Sequence, residues 1–237
     1  SQFGFYPDMG SGLIMYGLKG MLNVGDDVIQ QIIEKRPFTS FEDFLTRVKC
    51  GKQAVISLIK GGAFDKFGER KQIMAKYIWM TCDKKKRLTL QNMNGLVQRG
   101  MIPEKLSRQK TVFEFNRYLK DKCTLKTEPE YFVLDDRAIR YVDNNYPSIH
   151  LEVYDDTYAM NKKMWDKIYQ AEMDIVREHL KNQQDEMLYQ MNKSIFLDDW
   201  NKYAQGSYSA WEMEALCFYH HEHEMKDLNR KKYGIVN

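Results

Sequence analysis

The clearest periodicity near the start of the chain is helical. Val28, Ile29, Ile32 and Ile33 fall on one face, while Asp26, Asp27, Gln30, Gln31, Glu34 and Lys35 point away from it. Acidic residues open this run and Lys35 with Arg36 close it, as the helix dipole favours, and Pro37 stops it. Immediately upstream, Leu22-Asn23-Val24-Gly25 forms a tight glycine-bearing turn after a shorter helical pattern. A second unit follows. Ser40 with Asp43 predicts a capping box, Phe41, Phe44 and Leu45 the buried face of a short helix, and Lys49-Cys50-Gly51-Lys52 another glycine-bearing turn. Ala54 to Ile59 then reads as a helix closed by Gly61-Gly62. Two helix-turn-helix units in tandem predict one compact body.

Further along, Val112, Phe113, Asn116 and Leu119 predict a helix over 107–122, with Pro103 just before it. Asp135 is placed to cap a helix through Ala138, Tyr141 and Val142 that stops before Pro147. The longest helical pattern covers 161–192, with Trp165, Ile168, Ile175, Val176, Leu180, Met187, Leu188 and Met191 on or near one stripe. Ile149 to Tyr154 alternates and is the best strand, although a lone strand is marginal. The expected fold is mainly α: a tandem hairpin subdomain followed by an irregular helical region.

Composition adds little to this picture until the charges are mapped. The chain has 237 residues and a net charge of +3, too small a surplus to point to nucleic acid. Residues 82–126, however, hold an excess of eight positive charges and 127–160 an excess of six negative ones. The basic stretch, with Lys84-Lys85-Lys86-Arg87, Arg99, Arg108, Lys110, Arg117, Lys120 and Lys122, either tracks a phosphate backbone or is a solvated surface balanced by the acidic segment. Cys50, Cys82, Cys123 and Cys217 are scattered and show no metal or disulfide spacing. No run reaches transmembrane length and no signal peptide opens the chain, so a soluble, cytoplasmic protein without a membrane partner is expected.

The first turn carries the most pointed chemistry. A glycine at position 25 can take a positive φ and lets another backbone approach, and the helix beyond it presents unpaired N–H groups. Such a turn can clamp a DNA phosphate without sequence preference.

The residues Leu13-Ile14-Met15-Tyr16-Gly17-Leu18-Lys19-Gly20, Val24-Gly25, Glu34-Lys35-Arg36, Pro37 to Phe44, Arg47-Val48 and Leu58-Ile59-Lys60-Gly61-Gly62-Ala63-Phe64-Asp65 resemble the tandem helix-hairpin-helix region of the alpha subunit of bacterial DNA polymerase III. This is the C family of replicative polymerases. A second anchor, Trp211-Glu212-Met213-Glu214-Ala215-Leu216-Cys217-Phe218-Tyr219 followed by His223, is similar to the family's segment leading toward an OB-fold. Cys217 stands where the family has glycine, and Glu222 and Glu224 flank His223 where the family has glycine and proline; a divergent member, such as a phage-encoded one, fits these departures. Asn23 stands where the hairpin usually has its first glycine, and Asn tolerates positive φ better than other side chains. Little of 67–209 is similar to the family.

The resemblance implies three regions: a DNA-binding subdomain over 1–80, a helical, partly lineage-specific region over 81–208, and the segment toward an OB-fold over 209–237. It also implies a fragment of a larger protein. Duplex DNA would be held by the main chain of Asn23, Val24, Gly25 and Asp26 with Lys19 nearby, and by the second turn at Lys49, Gly51 and Lys52, which fits the pattern less well. The remainder of the polymerase and other replisome proteins are the implied partners. Magnesium is expected for the parent polymerase, with no cofactor in this segment. The catalytic carboxylates would lie upstream, so no catalytic residue is named.

Other chemistry is less convincing. His220, His221 and His223 with Glu222 and Glu224 lack a known metal-ligand spacing. Asp135-Asp136, Asp155-Asp156 and Asp198-Asp199 are adjacent pairs whose side chains diverge, and caps or loops explain them better than a two-metal site. Phe38, Phe41, Phe44, Phe64 and Phe67 follow the buried face and read as core rather than stacking platforms. Two other readings stay open: an interaction module that keeps only the hairpin packing and docks replisome partners, or a free-standing phage protein built on this segment.

Overall fold

A computed structural model describes residues 4–10 and 12–221. The chain forms two compact units, one joining the chain through Asp83 with that from Ile195 onward, the other made of Lys84–Ser194.

In the first unit, strands β1 (Tyr6–Asp8) and β2 (Leu13–Met15) form an antiparallel hairpin that pairs Tyr6 with Met15 and Asp8 with Leu13. A 3-10 turn at Leu18–Gly20 leads to the first hairpin turn and helix α1 (Asp26–Lys35). Helices α2 (Phe41–Arg47) and α3 (Lys52–Lys60) form the second helical hairpin, and α4 (Arg70–Thr81) follows. Ser40 caps α2 by accepting the Asp43 amide at 3.1 Å. The reciprocal arm of the expected box is displaced: the Asp43 carboxylate accepts the amide of Thr39, at 3.0 Å.

The core of this unit centres on α3, whose residues from Ala54 to Lys60 are all buried. Ile29 of α1, Phe41 and Phe44 of α2, and Met74 and Ile78 of α4 close around it. Phe64 meets Phe41 and Phe44 edge-on, with centroids 4.9 and 4.8 Å apart, the arrangement that aromatic quadrupoles prefer. Phe38 and Phe67 are partly buried against the same cluster, so the five phenylalanines are structural. Helix α10 (Tyr208–Leu216) covers α3, and its Trp211 is completely buried, the indole N–H donating to the Gln205 carbonyl at 2.7 Å. The expected lead-in over 209–237 thus has its described part packed in the hairpin body.

The second unit contains α5 (Met93–Gln98), α6 (Ser107–Lys122), α7 (Asp136–Asn145), α8 (Lys162–Asn182) and the first half of α9 (Gln184–Tyr203). Helix α6 has the bounds its pattern predicts, but Phe115, not Phe113, takes the buried place beside Val112. Asp135 caps α7 as predicted, accepting the Ala138 amide at 2.8 Å.

The alternating segment is not alone. Strand β4 (Glu152–Tyr154) joins β3 (Tyr131–Leu134) and β5 (Thr157–Asn161) in an antiparallel sheet of order β3-β5-β4. The single long helix expected over 161–192 is two, because Gln183 leaves helical geometry at φ −114° and ψ 22°. Trp165, Met173, Val176 and Leu180 line the buried face of α8, whereas Ile175 is 48% exposed. Mainly α is correct for the whole, with this small sheet added. No helix among the described residues is long and apolar enough to cross a membrane.

Candidate functional site

The predicted site residues fall on two turns with nearly the same backbone. Gly25 and Gly51 are the N-caps of α1 and α3, with φ and ψ of −74° and 162° in one and −72° and 160° in the other. Positive φ is therefore not what these glycines supply, contrary to the expectation for Gly25. Asn23 carries it instead, at φ 62°. Helix geometry leaves the first amides of α1 and α3 without an intrahelical acceptor, and a glycine N-cap has no side chain to cover them. A Cβ at Gly51 would meet nothing within 4 Å, and one at Gly25 would meet only the Asp27 carboxylate oxygen, at 2.9 Å.

Their surroundings differ. The first turn brings Lys19, Asn23, Val24, Gly25 and Asp26 together, but much of it is engaged internally. Lys19 pairs with Asp26 at 3.3 Å. The Asn23 carboxamide donates to Ser57 Oγ of α3 at 3.1 Å, Val24 is buried, and the Leu22 amide donates to the Ala215 carbonyl of α10 at 2.9 Å. Asp26 and Asp27 occupy the first turn of α1, where their carboxylates already answer the positive end of the dipole by ~0.3–1 kcal/mol each. An incoming phosphate would have to displace or tolerate them.

At the second turn there is no acidic residue in the first turn of α3, and Lys49 is exposed. Lys52 bonds Asp199 of α9 at 2.7 Å and lies over the Tyr203 ring, 4.8 Å from its centroid. Burial pushes the Cys50 thiol above its ordinary range, so no thiolate forms in the turn near neutral pH to repel an anion. The turn is positioned by α1: Gln31 accepts the Lys49 amide at 3.0 Å and donates to the Lys49 carbonyl at 3.2 Å. Of the four amides from Lys49 to Lys52, the first is thereby committed. Lys35 reinforces the clasp, donating to Gln31 Oε1 at 3.0 Å and to the Arg47 carbonyl at 2.6 Å.

A buried ionic cluster holds this platform. Arg70, itself buried, donates to Glu212 at 3.0 Å, to Asp65 at 3.0 and 2.5 Å and to the Lys60 carbonyl at 2.9 Å. Glu212 also accepts the amides of His220 and His221, at 2.8 and 2.7 Å, and contacts the His221 ring nitrogen at 2.5 Å. Burial alone would raise the Glu212 carboxyl, but the His221 amide and ring, Arg70 and the His220 amide outweigh it and hold it at about 2. Gln31, Ser57, Asp199 and Arg70 gave no sequence signal of these roles, because their partners Lys49, Asn23, Lys52 and Glu212 lie 18 to 147 positions away; only Asp65 and Lys60, five and ten positions before Arg70, are near. Glu212 was visible only as part of a family segment.

The basic stretch does not form one continuous face of unengaged charge. Arg108 pairs with Glu172 at 2.8 Å, Arg117 bonds Asn94, and Lys122 pairs with Asp121 at 3.3 Å. Among the described residues no group of three His, Cys, Asp or Glu side chains could hold a metal ion. Asp135 is a cap, Asp155 sits in the β4–β5 turn at φ 50°, and Asp199 holds Lys52. His220 and His221 are tied to Glu212; Glu222, His223 and Glu224 lie outside the described residues.

Comparison with known proteins finds the helix-hairpin-helix motif in the part of the chain that holds both turns. Residues 1–74 match a family model described as a helix-hairpin-helix motif. Over its whole length the chain is 34% identical to a probable DNA polymerase, YorL, of Bacillus subtilis (strain 168), and to the DNA-directed DNA polymerase of Bacillus phage SPbeta. It spans 19% of the length of each. Against the DNA polymerase III subunit alpha of Thermus aquaticus it is 41% identical over 69 residues, 26% of this chain and 6% of that one. No solved structure matches it.

Proposed function

We propose that the chain is part of a C-family replicative DNA polymerase, through the segment bearing the family's helix-hairpin-helix region, and that it binds duplex DNA without sequence preference while synthesis proceeds elsewhere in a larger polymerase. The parent would be a DNA-directed DNA polymerase, a magnesium-dependent nucleotidyltransferase. The observation that carries the proposal is the second hairpin: an open glycine N-cap with exposed Lys49 beside it and no carboxylate in the first turn of its helix, Lys52 standing there in a pair with Asp199. Main-chain amides of Cys50, Gly51 and Lys52 would meet a phosphate, with the lysines adding a charge term that salt screens.

The first hairpin supports a different role. Its carboxylates and its bonds to α3 and α10 favour packing over phosphate contact, as in the interaction-module reading. Lys19, Asn23, Val24, Gly25 and Asp26 would then shape the platform that presents Lys49, Gly51 and Lys52.

Fluorescence anisotropy of labelled duplex DNA at several salt concentrations tests this division. Lys49→Glu with Lys52→Glu should weaken duplex binding by at least roughly tenfold and flatten its salt dependence. Gly51→Val, which the open space around Gly51 accommodates, should weaken it by covering the amides. Duplex affinity unaltered in both variants would reject DNA contact at this turn and leave the docking role.

A further inference from the structure

A hollow of about 260 Å³ opens in the first unit between α1, α2 and the turn that follows α3. Buried Phe64 belongs to its floor, while its walls are only partly covered: Ile32, Phe38 and Phe67 are half-buried and Ala63 is exposed. Exposed Arg36 and Lys66 complete the lining, and no carboxylate among the described residues takes part in it. We propose that this hollow docks an acidic peptide segment of a partner protein by one bulky apolar side chain, with carboxylates beside that side chain meeting Lys66 and Arg36.

Size and charge select this occupant. A drug-sized ligand takes roughly 300–1,000 Å³, so the space suits a single large side chain better than a cofactor. A phosphate would gain nothing from the apolar walls. The groove also continues past one residue. Lys66 and Phe67 are shared with a neighbouring hollow of about 440 Å³, where Thr39, Ser40 and Gln72 offer polar groups to a peptide backbone and Glu42 is paired with Lys76. Asp65, next to Lys66 in sequence, is held by Arg70 at 3.0 and 2.5 Å. An apolar recess rimmed by cations is thus complementary to a bulky residue among acidic ones.

The walls are set before a partner arrives. Phe38 lies edge-on to Phe44, with centroids 5.3 Å apart, and the Arg47 guanidinium stands 4.9 Å from its ring centre. Arg47 is itself fixed, donating to the Pro37 carbonyl at 2.9 Å and to the Asp43 carboxylate at 3.0 Å. The Phe67 amide donates to the Phe64 carbonyl at 2.8 Å, and Lys66 lies over the Phe67 ring at 4.6 Å. A recess already shaped loses little freedom when a side chain enters it, and anchors seated in such recesses carry much of an interface's binding energy. Neither Lys49, Gly51 nor Lys52 lines either hollow, so the proposal stands apart from the DNA reading.

The test uses the full chain and a labelled peptide, Gly-Asp-Glu-Leu-Phe-Asp-Glu-Gly, followed by fluorescence anisotropy, with labelled duplex DNA measured in parallel. Lys66→Glu should weaken peptide binding at least fivefold and reduce its salt dependence, whereas Lys66→Arg should keep near-normal binding. Ala63→Phe, which fills the hollow from an exposed position, should weaken it at least tenfold, and so should alanine in place of the peptide's phenylalanine. Thermal melting checks that the protein variants fold, and the peptide variants keep the test decisive if one does not. Absence of saturable binding below about 1 mM overturns the proposal. Binding unchanged in the folded variants, or equalled by a peptide with lysine at every acidic position, overturns it too. So does duplex DNA that displaces the peptide and is itself weakened by Lys66→Glu, which would give the cations to DNA, or a dimer dispersed by Ala63→Phe, which would give the hollow to a second copy. Duplex binding lost in Lys49→Glu with Lys52→Glu bears on the proposed function alone.

Discussion

The two hairpin turns superimpose in backbone angles and diverge in charge. Gly25 opens onto Asp26 and Asp27, with Lys19 spent on Asp26, whereas Gly51 opens onto a first turn without carboxylates and lies near exposed Lys49, Lys52 being paired with Asp199 from α9. A shared motif therefore does not imply a shared job. The amides of a helix N-terminus are the same in both, and the side chains of the first turn decide whether an anion is welcome. Nor does fit to the family pattern rank them: the first turn fits better, yet the second has the more favourable electrostatics.

The largest effect should come from cutting the buried ionic cluster that ties the end of α3 to α10. Arg70→Met leaves Glu212 buried without its guanidinium and should cost about 3–5 kcal/mol in urea denaturation. A loss under 1 kcal/mol would mean that the cluster does not hold the platform. Next comes pH. The Glu212 carboxyl sits at about 2 when folded against a reference of 4.5, so its stabilising contribution is complete above about 4.5 and falls away as pH drops toward 2. Denaturation midpoints measured from pH 6 to pH 2.5 should show that loss, on the order of 3 kcal/mol when complete, and Glu212→Gln should flatten the profile over the same window.

Smaller changes separate the turns from each other. Asn23→Ala places a Cβ-bearing residue without a polar side chain at φ 62° and removes the bond to Ser57, at a combined cost of about 2 kcal/mol. Asn23→Gly relieves the backbone and should recover roughly half of that. Neither should alter duplex affinity per folded molecule; a loss there would restore the first turn to the DNA-contacting role. Smallest is Asp26→Asn with Asp27→Asn, expected to raise duplex affinity by a few-fold at most by removing two like charges from the turn. A tenfold rise would show that only charge keeps the two hairpins apart.

What was legible followed from local rules. Ser40, Asp135 and the α6 stripe announce their elements because a cap or a 3.6-residue period needs only neighbours in sequence. Strand β3 escaped because Tyr131-Phe132-Val133-Leu134 is apolar without alternation, although its burial alternates once β5 lies beside it. Strand β5 escaped because Asn161 both ends the strand and caps α8, accepting the Lys163 and Met164 amides at 2.9 and 3.2 Å, so no loop residue separates strand from helix. The break at Gln183 lies in a polar run where neither glycine nor proline warns of it. The site's glycines were visible, but the asymmetry between them was only half visible: Asp26 and Asp27 can be read directly, whereas Gln31 reaching Lys49 and Asp199 reaching Lys52 are products of folding.

The Gln31 clasp bears on how freely each hairpin can change. Because α1 sets the position of the Lys49 backbone, drift in the first hairpin is constrained at the face that touches the second hairpin, and is permitted at its own tip. At Gly25 a serine or aspartate could cap α1 and gain a few tenths of a kcal/mol. The same exchange at Gly51 would fill with a side-chain oxygen the opening proposed to receive a phosphate. Under that proposal a duplicated motif carries two unequal licences to mutate, one granted by stability and the other withheld by binding.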